Sequence, residues 1–104
     1  MKLWALDDYL SGRRIDLLKI DTDGWERDVL CGALETIKAS RPVVMFEFCP
    51  KCAVRNGFDP LEPFDILADC GYRFESEDGR VLDRASVLDG LGNEDSLNVF
   101  AYPD

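Results

Sequence analysis

The stretch IDLLKIDTDGWERDVLCGA, residues 15–33, decides the fold. Residues 15 to 21 are mostly apolar without clean alternation, the pattern of a strand buried on both faces of a parallel sheet. The run ends in Asp21, Thr22, Asp23 and Gly24 and passes directly into helical spacing, with Trp25, Val29, Leu30, Ala33, Leu34 and Ile37 recurring up to about Ser40. Asp23 suits the N-cap of that helix, and Glu26 three residues later completes an aspartate form of the capping box. The next apolar run, PVVMFEF at 42–48, is β-branched and aromatic and opens on a proline, where a strand tolerates one best. Strand, helix, strand in this order predicts a right-handed βαβ unit.

Outward from that unit the pattern is plainer. Cys49 to Pro60 reads as a loop. A second helix starts near Asp59 and Pro60, buries Phe64, Leu67 and Ala68, and stops at Gly71. Tyr72–Glu75 alternates, EDGR at 77–80 is a turn, residues 84–95 are loop with one helical turn, and LNVFAY at 97–102 is the last strand. Trp25, Phe46, Phe48 and Phe64 are assigned to the core, and Glu75, Glu77 and Asp78 to a solvated turn.

Composition bounds the function. The 104 residues are 46% hydrophobic, enough for one domain and one core. Twelve basic against 21 acidic residues give a formal charge of −9, which repels nucleic acid and anionic membrane surfaces. No apolar run is long enough to span a bilayer, and Met1–Leu10 is too short and acidic for a signal peptide, so a soluble, cytoplasmic protein is expected. That compartment favours reduced thiols at Cys31, Cys49, Cys52 and Cys70. With no histidine in the chain, acid–base chemistry falls to carboxylates, Lys, Tyr or Cys.

In an open α/β sheet the ligand crevice lies at the carboxyl ends of the strands, so Asp21, Thr22 and Asp23 face it, joined by Glu47 from the following strand. For Asp23 a helix cap competes with a role in the site. Lys19, inside an apolar strand, calls for a partner, and an ion pair to Glu47 or an aspartate is the expectation. Cys49-Pro-Lys-Cys52 has the spacing of half a zinc site or of a redox dithiol; a loop without metal is preferred, because only one such pair exists.

Residues 3 to 49 resemble the FkbM family of S-adenosylmethionine-dependent methyltransferases. The resemblance is carried by LDDYL at 6–10, the stretch at 15–33 and RPVVMFEF at 41–48, where Lys19, Ile20, Asp21, Gly24, Glu26, Val29, Leu30, Gly32, Ala33 and Glu47 match the family pattern. Asp23 stands where the family more often has Glu. DCGYRF at 69–74 and SLNVFAYP at 96–103 are similar to the family's ending. The resemblance implies an α/β fold: a partial Rossmann-like class I methyltransferase sheet of two parallel strands with a crossover helix, then a helix and an antiparallel strand pair.

It also implies roles. Asp21, Asp23 and Glu47 become catalytic candidates that orient the acceptor or take its proton, Asp21 and Thr22 face S-adenosylmethionine, and Lys19, Gly24 and Glu26 support them. The glycine-rich cofactor turn of such enzymes has no counterpart here, since GLGN at 90–93 follows no buried strand. The chain is thus expected to be the acceptor side of an O-methyltransferase of small molecules or glycans, inactive alone, with residues 15–21 as an open edge for self-association or a partner chain. The alternatives are a non-catalytic interaction module and a small zinc domain of four thiolates.

Overall fold

The computed structural model describes residues 14–104, so the LDDYL segment lies outside the described residues. Five strands form one sheet in the order β1-β2-β5-β3-β4. They are β1 (Leu17–Ile20), β2 (Val43–Phe48), β3 (Tyr72–Ser76), β4 (Val81–Leu82) and β5 (Leu97–Pro103). The helices are α1 (Glu26–Cys31), α2 (Leu34–Ser40), α3 (Pro50–Arg55), α4 (Glu62–Asp69) and α5 (Val87–Leu91). β1 and β2 are parallel, Ile20 beside Phe46, and every other pairing is antiparallel. This is the expected partial Rossmann-like α/β sheet, with the antiparallel pair β3 and β5 in place.

The register explains which residues form the core. Ile20, Phe46 and Val99 lie side by side across three strands, as do Val44, Ala101, Phe74 and Leu82 across four. All of them are buried, and together with Leu30, Ala33 and Ile37 from α1 and α2 and Phe64 and Leu67 from α4 they make one cluster. Phe64 is its hub, edge-on to Phe46, Phe48 and Phe74 at centroid distances of 5.5, 5.3 and 4.9 Å. The alternate residues of the same strands, among them Lys19, Met45, Glu47, Phe100 and Arg73, project to the other face and stay half-buried or exposed.

Five local expectations need correction. β1 is an edge strand with Leu17 62% exposed, not a strand buried on both faces, because only β2 pairs with it among the described residues. The segment from Trp25 to Ser40 is two helices, broken at Gly32 and Ala33, and the cap of the first falls two residues later than expected: Trp25 occupies the N-cap and Asp23 does not cap. The segment read as loop after Cys49 contains α3, opened by Pro50 in its first turn. Ala68, assigned to the buried face of α4, is exposed. Trp25, assigned to the core, is instead half-buried outside the cluster, edge-on to Phe58.

The thiols also differ from expectation. Cys49 and Cys52 form a disulfide, Cα atoms 5.3 Å apart, while Cys31 and Cys70 are free. The spacing places both sulfurs on one turn at the start of α3, close enough to bond without any contribution from distant chain. No long apolar helix capable of crossing a membrane occurs among the described residues.

Candidate functional site at the carboxyl ends of β1 and β2

β1 and β2 run parallel, so their carboxyl ends open on the same side of the sheet and deliver Asp21 and Glu47 to one place. Asp23 joins them from the turn that follows β1. One ligand oxygen from each of Asp21, Asp23 and Glu47 can be chosen such that all lie within 4.8 Å of one another. Asp21 and Asp23 are exposed and Glu47 half-buried. Three carboxylates this close repel unless a cation, a proton or a hydroxyl donor comes between them. The same three atoms have the spacing of a divalent-cation site, which an exposed acidic group alone does not establish.

The turn that presents Asp23 is held from below. Asp23 has φ 52, in the left-handed region where Asp is among the better tolerated residues, and Gly24 has φ 100. Asn56, at the end of α3, donates its side-chain N–H to the Asp23 carbonyl at 3.0 Å. The backbone of Cys52 lies directly against Gly24. Gly24 was legible in the sequence as a support; Asn56 and Cys52 were not, because the segment that carries them reads as loop.

Behind the turn sits Glu26, only 5% exposed, with Oε1 lacking a hydrogen-bond partner among the described residues. Its pKa is raised, first because burial penalises the carboxylate and further by the charge of Glu47; the backbone N–H groups of Glu26 and Gly24 and the Thr22 side chain oppose the shift. The Thr22 hydroxyl is buried as well and, among the described residues, has no hydrogen-bond partner of normal geometry. Glu26 was expected as half of a capping box. Instead it is a buried carboxyl in the first turn of α1, supporting the Asp21–Gly24 turn from inside.

Lys19 does not form the expected ion pair. It is exposed, and among the described residues no carboxylate lies within salt-bridge distance of its ammonium. Its neighbours on the outer face place it with Asp21, Met45, Glu47 and Asn98 around an open recess of ≈ 110 Å³. It therefore brings a positive charge to the rim, with no buried pair to maintain. The four cysteines do not assemble a metal site: the only group of three or more metal-ligating side chains among the described residues is the carboxylate trio.

A parallel strand pair with acidic residues gathered at its carboxyl ends, followed by an antiparallel pair, is compatible with part of a Rossmann-like transferase domain. Comparison with protein families makes this specific. The methyltransferase FkbM domain matches residues 3–74, and the chain belongs to that family. Its function is accordingly of the methyltransferase type. Comparison with curated proteins and with solved structures returns no match.

Proposed function

We propose that the chain forms the acceptor wall of an S-adenosylmethionine-dependent methyltransferase that modifies an oxygen nucleophile on a small molecule or glycan. The observation that carries this reading is the convergence of Asp21, Asp23 and Glu47 at the strand ends within the family-matched segment. Asp21 and Thr22 face the cofactor, and the acidic rim fits a cationic ligand group. S-adenosylmethionine supplies an electrophilic methyl group when bound. Asp23 and Glu47 orient the acceptor hydroxyl and accept its proton, which is carboxylate work in a chain without histidine.

The recess of ≈ 110 Å³ is well below the roughly 300–1,000 Å³ of sites that enclose a cofactor-sized molecule. Nor does GLGN supply the second wall: Gly90 and Leu91 belong to α5, and Gly92 ends it. This chain by itself then binds the cofactor weakly and turns over poorly. A second reading, a module that pairs through the edge of β1, is favoured by the exposure of Leu17 and by the lack of a second strand beside β1 among the described residues.

Amide shifts of the 104-residue chain, followed during titration with S-adenosylhomocysteine to millimolar concentration, test the first reading. Shifts confined to Asp21–Gly24 and the Glu47 region, with calorimetric heats too small for tight binding, are expected. A folded chain whose shifts do not move there would overturn it. Concentration-dependent sedimentation with broadening at Leu17–Ile20 would support the second reading.

A further inference from the structure

The Cys49–Cys52 disulfide stands apart from the core and against the turn that carries Asp23. Both cysteines are half-exposed and neither belongs to the cluster that holds the sheet to its helices. The helix they open, α3, has six residues and buries only Ala53, while Lys51, Val54 and Arg55 face solvent. A helix this short has little stability of its own. It nevertheless provides two supports of the turn: the Cys52 carbonyl packed on Gly24 and the Asn56 hydrogen bond to the Asp23 carbonyl.

We propose that Cys49 and Cys52 are a reversible thiol–disulfide site, whose oxidised form fastens the first turn of α3 and thereby fixes the Asp21–Gly24 turn. The partner is a low-molecular-weight disulfide or thiol. In oxidation the two cysteine thiols lose two protons and two electrons and form one S–S bond; the reagent's S–S bond takes them up and breaks into two thiols. Excess thiol runs the same exchange backwards. Because the bridge lies outside the core, reduction leaves the sheet intact and loosens α3 and the turn above it.

The 104-residue chain equilibrated in oxidised or in reduced glutathione tests it. Alkylation under denaturing conditions should leave Cys49 and Cys52 unlabelled and without bound glutathione after oxidation, and label all four cysteines after reduction. Native-state hydrogen exchange at residues 21–26 should be about tenfold faster in the reduced form, with the amides of β2 and β5 unchanged. The double variant Cys49→Ser/Cys52→Ser should exchange like the reduced form in both buffers, and Cys31→Ser/Cys70→Ser should keep the full response. Labelling of Cys49 and Cys52 after oxidation would overturn the proposal. So would a different pairing, or a bridge whose reduction leaves exchange at residues 21–26 unchanged. If the double variant does not fold, the two forms of the unaltered chain still decide.

Discussion

Gly24 packs on the backbone of Cys52: a Cβ placed on Gly24 would lie 2.6 Å from both the carbonyl carbon and the carbonyl oxygen of Cys52, and 2.8 Å from Asn56 Nδ2. The atoms in the way are mainly backbone, and φ 100 is itself strained for any residue with a side chain. Gly24→Ala should therefore destabilise the chain by about 2–4 kcal/mol, the sum of strain and overpacking. Urea unfolding followed by circular dichroism measures this. An unchanged midpoint would mean that α3 does not rest on the turn.

Glu26 gives the pH dependence. Burial raises its pKa above 4.5, so the folded state holds the proton more tightly than the unfolded chain does. The stabilisation from the protonated carboxyl is fully present below 4.5 and is lost as pH rises through the folded-state pKa. Glu26→Gln, which cannot ionise, should be more stable than the unaltered chain at neutral pH, by roughly 1 kcal/mol. The difference should disappear at acid pH. Melting curves of both proteins from about pH 4 to about pH 8 would show the two lines converge towards acid. Parallel lines would mean that Glu26 is solvated.

Most of the fold was legible because burial and backbone period agree. β2, β3 and β5 alternate or carry β-branched and aromatic residues, and Phe46, Phe48, Phe64 and Leu67 went to the core as read. The convergence of Asp21, Asp23 and Glu47 was legible too, since parallel strands bring their ends to the same side. What could not be read depends on contacts between distant segments. Asp23 has the residue type of a helix cap, yet Asn56, 33 positions away, bonds its carbonyl in a left-handed conformation. Lys19 looked buried because its neighbours are apolar, but its side of β1 faces outward. α3 was hidden by a short sequence, Pro50–Arg55, whose helicity depends on packing more than on period.

Asp23 should respond to charge and conformation in opposite ways. Asp23→Asn keeps a residue suited to positive φ and removes one of three mutually repelling carboxylates, so it should stabilise by a few tenths of a kcal/mol, roughly 0.3–0.5. Screening makes that gain smaller in high salt. Asp23→Ala removes the same charge but suits the left-handed conformation less well, and should fall below Asp23→Asn by about 0.5–1 kcal/mol. Denaturant midpoints at low and high salt separate the two effects. Equal stability of the two variants would show that Asp23 is not held at positive φ.

Arg41 fastens the opposite end of the βαβ unit. It closes α2 in the left-handed conformation at φ 50, and its guanidinium lies 5.0 Å over the Tyr72 ring while donating to the carbonyls of Cys70 and Gly71. These contacts tie the end of α2 to the corner between α4 and β3, where Tyr72 in turn donates its hydroxyl proton to the Pro42 carbonyl. Arg41→Ala should cost about 1–2 kcal/mol, from the lost cation–π contact and from carbonyls left without a charged donor. Arg41→Gly loses the same contacts but relieves the positive φ, so it should recover about 0.5–1 kcal/mol of that loss. Urea midpoints rank the three proteins, unaltered chain above Arg41→Gly above Arg41→Ala. The reverse order of the two variants would show that position 41 is not held at positive φ.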